Sequence, residues 1–195
     1  MSGLKRMVKN CNRVREMDRE QRAMVEETSA DELIGALNAL GVHFLAGGEN
    51  VISAPALPPA RLLAALAQQA DARLRLAIVA LLLCRPDLAR AVPEAAAHLT
   101  EPALTTLKLF YTAAVLLQQK YAAQLHHLLG QWEPLPDLFS RELKILPADS
   151  TEASLKRLSE RHRALSGLAA NWIGTYKYAA ERLIKRLEWE AQWTA

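Results

Sequence analysis

The chain has 195 residues, 51% of them hydrophobic and 23% charged, which is enough apolar material for one domain with a sizeable core and excludes a globally disordered chain. The formal charge is only +3, and the pI near 9.0 is compatible with a polyanion partner without demanding one. Cys11 and Cys84 form no Cys-x-x-Cys pair, which argues against a disulfide framework or a zinc ribbon and fits a reducing cytoplasm. Alanine and leucine dominate while β-branched residues are sparse, so the expected fold class is all-α.

Residues 1–27 read as a separate basic helix or arm. Leu4, Met7, Val8, Cys11, Val14 and Met17 recur at helical spacing, and Lys5, Arg6, Lys9 and Arg13 surround them. A solvated helix or tail is the first expectation, and a basic arm on nucleic acid or on a partner is the second. Met24 is an alternative start of translation, and the basic start lacks the apolar stretch of a secretory signal.

A single helical domain is expected over 28–195. Ser29-Ala-Asp-Glu32 has capping-box spacing and opens a helix from Asp31 to Leu40, with Leu33, Ile34, Leu37 and Leu40 on one face and Gly41 after its end. Val42 to Ala54 carries the β signal: two short apolar runs around Gly47-Gly48 predict a small hairpin at about 42–54. A helix before a hairpin also ends a winged-helix unit, but that unit needs three helices ahead of its wing and two precede this one. Leu37 to Gly48 resembles the opening helix and strand of minimal nucleotidyltransferases. Their magnesium site needs an Asp-x-Asp soon after the glycines, and residues 49–70 contain none.

Pro55, Pro58 and Pro59 make a stiff connector into Arg61–Cys84, the predicted central helix. Its second half, Leu76 to Cys84, is apolar on every side, so other elements must surround it. As a helix this run spans about 14 Å, far short of the roughly 20 residues a bilayer requires. Pro86 and Pro93 divide the next stretch into short pieces. Thr100-Glu-Pro102 reads as a new helix start, with threonine as N-cap, and the helix from Pro102 to Leu129 is the second core element. After the 131–137 loop, Asp137 is expected to cap a short helix through about Ile145. Two helices close the chain, 151–165 and 168 to about 192, hinged at Ser166-Gly167. The last carries Leu168, Trp172, Ile173, Tyr176, Ala180, Leu183, Ile184 and Leu187 at helical spacing, and Glu181 and Lys185 sit as an i to i+4 ion pair.

The chemistry-bearing patterns are few. His43, His98, His126, His127 and His162 show no three-ligand spacing, and there is no nucleophile elbow, Walker loop or dinucleotide fingerprint. No metal or cofactor is therefore expected. Arg157-Leu-Ser-Glu-Arg-His162 resembles the Arg-x4-His motif of HEPN ribonucleases, helical proteins that often pair two such motifs by dimerising. That resemblance implies a histidine moving a proton at the ribose 2′-hydroxyl and an arginine steadying the phosphate. Leu158 stands where that family often has a polar residue. The competing expectation is a solvated basic helix face, with the candidate polar groups of the long helices on their wet sides.

All four tryptophans, Trp132, Trp172, Trp189 and Trp193, lie in the last third. Trp189 and Trp193 are four residues apart, close to Lys185 and Arg186. They either pack over the end of the helices or form a contact patch for a second chain. The sequence is read as a multi-helix bundle around 61–84 and 102–129, more plausibly a non-catalytic protein-interaction module than an enzyme. An accessory or regulatory subunit, antitoxin-like or the small subunit of a defence complex, is the analogy, with a protein partner or a homo-oligomer and no membrane. The alternatives are a nucleic-acid binder using basic helix faces and a HEPN-like ribonuclease using Arg157 and His162.

Overall fold

The computed structural model describes residues 28–43, 57–130, 133–145 and 150–194. Among the described residues all regular structure is helical. Helix α1, Ala30–Ala39, opens with the full capping box: the Ser29 hydroxyl accepts the Glu32 amide at 3.2 Å, and the Glu32 carboxylate accepts the Ser29 amide at 2.8 Å. It ends at Gly41, whose φ of +77° is the left-handed conformation a glycine adopts without strain. The basic arm and residues 44–56, which carry most of the expected hairpin, lie outside the described residues.

The expected single helix 61–84 is two helices, α2 (Pro59–Gln68) and α3 (Ala72–Cys84). The break is made by polar side chains competing for the backbone. The Asp71 carboxylate accepts the Arg73 amide at 2.8 Å and so caps α3. From inside α3, the Arg75 Nη1 donates to the carbonyls of Gln69 at 2.6 Å and Ala70 at 2.9 Å. Those bonds occupy carbonyls that a continuous helix would have used. Apolar periodicity does not reveal such a break, because α2 keeps a single apolar stripe and most of α3 is apolar on every side.

In α3 every residue from Leu76 to Leu83 is buried. The helix is surrounded by α1, α2, the 3-10 turn Pro86–Ala91, α5 (Ala103–Lys120) and α8 (Trp172–Thr194). Helix α4, Val92–Ala97, follows the 3-10 turn and packs on α2. Pro86 and Pro93 each fall in a first turn, where the missing N–H costs nothing.

The expected 102–129 helix is also divided, into α5 and α6 (Ala122–Leu129), at Tyr121. Its φ of −104° and ψ of 20° redirect the chain, yet its amide still donates to the Leu117 carbonyl at 2.9 Å. The Tyr121 hydroxyl donates to Glu181 of α8 at 2.9 Å, so a tertiary contact sets the bend. No glycine or proline marks it. At the start of α5 the capping role expected of Thr100 is filled by Glu101, whose carboxylate accepts the Thr105 amide at 3.3 Å.

Residues 133–145 form a loop and a turn, in place of the short helix expected after Asp137. Asp137 does accept the Ser140 amide at 3.0 Å, but Lys144, at φ +58°, ends the helical path after one turn. The loop is bound to α5. The Tyr111 hydroxyl donates to the Pro136 carbonyl at 2.7 Å. The buried Gln118 amide accepts the Leu135 N–H at 2.7 Å and donates to the Glu133 carbonyl at 3.2 Å.

Helix α7, Thr151–Ser166, is capped by the Ser150 hydroxyl and closed by Gly167 at φ +68°. Helix α8 starts later than expected, at Trp172, where Asn171 accepts the Gly174 amide at 3.0 Å. Leu168, assigned by periodicity to the α8 stripe, is exposed ahead of it. Helix α7 lies on α5 and α8, and α8 lies across α3, α5 and α6. Truncating Leu81→Ala at the fully buried centre of α3 is expected to cost about 2–5 kcal/mol in urea unfolding at pH 7. A loss under 1 kcal/mol would contradict the packing described.

Candidate functional site

The candidate residues of the second half converge on α7 and α8, on two opposite sides of that pair. One side is a buried aromatic box around His162. The other is an exposed face on α8.

His162 follows Leu155 and Leu158 by seven and four residues, so helical spacing carries it onto the buried stripe of α7. Only 5% of its surface is exposed. Its ring stacks on Trp172 with centroids 3.4 Å apart and planes 12° from parallel, and the Phe110 ring of α5 meets it edge-on at 5.7 Å. Nδ1 shares a 2.5 Å hydrogen bond with the Tyr176 hydroxyl. Burial, reinforced by the positive charge of Arg75, pushes the His162 pKa down to about 4, and burial pushes the Tyr176 phenol up. At neutral pH the box therefore holds an uncharged imidazole and an uncharged phenol. The indole Nε1 of Trp172 is buried without a hydrogen-bond partner.

The expectation of a solvated face carrying both Arg157 and His162 is corrected on this point. Arg157 is exposed, while His162 is in the core. A five-residue separation turns the chain by about 140°, so one helix face does not present both. The structure does not bring them together at a surface where a ribose and a phosphate could meet both. It also places a candidate polar group inside the core, where the sequence reading left the core pattern unbroken.

On α8, Lys185, Arg186, Trp189 and Trp193 are all exposed, the tryptophans at 58% and 80%. Their rings touch edge to face at 6.3 Å. They do not pack over the end of the helices. Arg186 Nε donates to Glu190 at 2.6 Å, and this is the i to i+4 ion pair found in α8 among the described residues. The expected Glu181–Lys185 pair is replaced, with Glu181 accepting from Tyr121. Two further residues share this face and were not singled out from sequence: Tyr178, which is 54% exposed, and Arg182, whose Nη1 donates to the Tyr178 hydroxyl at 3.1 Å. The 178, 182, 185, 189, 193 spacing, opposite the buried stripe, was the signal for them.

Several other polar groups are occupied structurally. Glu152 lies between Lys120 and Lys177, and those partners hold its carboxyl below the usual range. Buried Thr112 donates to the Lys108 carbonyl. Burial pushes the Cys84 thiol up to about 12, so it is a protonated, unreactive group at neutral pH. His126 and His127 are exposed, and among the described residues no group of three His, Cys, Asp or Glu side chains could hold a metal ion. No helix of the described residues is long and apolar enough to cross a membrane. Lys5, Arg6, Lys9, Arg13 and Trp132 lie outside the described residues. The chain matches no protein-family model, no curated protein and no solved structure.

The depressed His162 pKa has a stability consequence. The unfolded histidine takes a proton near pH 6.5, and the folded one only near 4. The stabilisation from keeping it neutral is fully present above pH 6.5 and falls away as pH drops towards 4, by about 3 kcal/mol in all. Urea unfolding at pH 7, 5.5 and 4 should show this loss in the wild type. His162→Phe, which retains a stacking ring but cannot titrate, should lack that component while starting less stable at pH 7. Parallel pH profiles for the two proteins would rule out His162 as its source.

Proposed function

We propose that this chain is a non-catalytic helical interaction module, an accessory or regulatory component that works by presenting the outward face of α8 to a macromolecular partner. The observation that carries the reading is the exposure of Trp189 and Trp193 beside Lys185 and Arg186. Tryptophan and arginine are enriched among the residues that dominate binding energy, and an indole left in water has its apolar area still to cover. The histidine of the ribonuclease-like motif supports the same reading. It is neutral, enclosed by Trp172, Phe110 and Tyr176, and turned away from the Arg157 face. The reading requires no metal or cofactor.

Binding and folding separate cleanly at this surface. Trp189→Ala with Trp193→Ala is expected to change unfolding free energy by no more than about 1 kcal/mol, because exposed side chains contribute little to the folded state. The same double variant should lose whatever the tagged wild-type chain retains at equal stoichiometry from its native host. A double variant that keeps its partner would refute the assignment of this face. Nuclease activity of the purified wild type that disappears in His162→Gln would refute the non-catalytic reading.

A further inference from the structure

The exposed side chains of α8 form a continuous stripe. At 100° per residue, Tyr178, Arg182, Lys185, Arg186, Gln192 and Trp193 all fall within about 60° of Trp189. From residue 178 to 193 the stripe is about 22 Å long. All seven side chains are exposed. Three are aromatic, three are cationic and one is an amide. Within that stretch the stripe contains no carboxylate and no aliphatic side chain. Glu181, Glu188 and Glu190 lie on its flanks, about 80–100° away, with Glu190 engaging Arg186 from the side. The buried residues Tyr176, Ala180, Leu183 and Ile184 occupy the opposite side of the helix.

This composition discriminates between partner classes. The core of a protein–protein interface is depleted in lysine and, arginine apart, in charged residues generally. Here Lys185 lies mid-stripe in a run of three cations, Arg182, Lys185 and Arg186, with Tyr178 before the run, Trp189 and Trp193 after it, and no carboxylate within it. A single strand of nucleic acid asks for both groups on one face, ring faces on which bases stack and a cluster of cations that meets the phosphates. We propose that the outward stripe of α8 binds single-stranded nucleic acid, with Tyr178, Trp189 and Trp193 stacking on bases and Arg182, Lys185 and Arg186 meeting phosphates. The inference rests on the reading of this face as the binding surface and names its occupant. Stacking on unpaired bases does not depend on the 2′-hydroxyl, so RNA and DNA strands are both accommodated.

The test is fluorescence anisotropy of the full chain with labelled twenty-nucleotide oligo(U) and oligo(dT), and with a duplex of the same length. Both single strands should bind more tightly than the duplex and quench tryptophan emission. Three neutralised phosphates imply a salt slope near −2, so affinity should fall roughly twentyfold between 50 and 200 mM salt. Trp189→Ala with Trp193→Ala should weaken binding tenfold or more with little change in that slope. Arg182→Gln with Lys185→Gln should flatten the slope. Circular dichroism should be unchanged in both variants, since every altered residue is exposed. No binding at 50 mM salt would overturn the proposal. So would binding that survives the tryptophan substitutions but disappears when Lys5, Arg6, Lys9 and Arg13 are changed to Gln. If the oligonucleotides fail while the tryptophan double variant still loses a protein partner in the native host, the occupant is wrong and the interaction surface stands. If neither nucleic acid nor protein depends on the tryptophans, both readings fail.

Discussion

Eight consecutive residues of α3, Leu76 to Leu83, have no side that water reaches, and this one constraint organises most of the chain. A helix with a single apolar stripe needs one neighbour, whereas one that is apolar all round must be enclosed. Helices α2, α5 and α8 lie against it, and α1 and the 3-10 turn complete its surroundings. Because α8 is one of these enclosing elements, its inner face is committed to Tyr176, Ala180, Leu183 and Ile184, and its outer face is left for everything else. The exposed aromatic and cationic stripe is thus the reverse side of a structural element. It is carried on a rigid helix, so its side chains keep their spacing.

The two polar features inside this packing have opposite characters. The Arg75 guanidinium reaches back to two carbonyls and holds the bend between α2 and α3. It also places a positive charge near the His162 box, which adds to burial in keeping the imidazole neutral. The box in turn ties α7 to both α5 and α8 through Phe110, Trp172 and Tyr176. A histidine in such a setting is a packing residue with one good hydrogen bond. Its ring nitrogen is engaged with a phenol and its faces with other rings, which leaves it poorly placed to meet a substrate.

How much of this was legible in the sequence depended on the kind of signal. The all-α class, the enclosed helix and the capping box at Ser29 were written in composition, apolar runs and a local motif, and all three rest on short-range physics. The breaks at Gln69–Asp71 and Tyr121 were not legible. One is made by an arginine reaching back along the chain, the other by a hydroxyl meeting Glu181 sixty residues away. Apolar period measures which face is buried and is blind to a bend that preserves the face. The His162 box was half legible. Leu155, Leu158 and His162 share one helical face, but the residue's familiar chemistry drew the reading towards a wet surface. The outward position of Trp189 and Trp193 was legible in principle, because their spacing sets them opposite the stripe of Tyr176, Ala180, Leu183 and Ile184.

Gln118 gives the loop after α6 a property its lack of regular structure conceals. Its side-chain amide offers one donor and one acceptor to a passing stretch of backbone, and it takes the Glu133 carbonyl and the Leu135 N–H. This is a single rung of the kind a neighbouring strand would provide, supplied by one residue of a helix. The two backbone groups lie two residues apart, and both must reach the same amide. Chain length between them is therefore fixed, although segments of this kind ordinarily tolerate insertion. Leu135 is thereby seated in the core, while Glu133 and Pro134 stay at the surface with their spacing to it fixed.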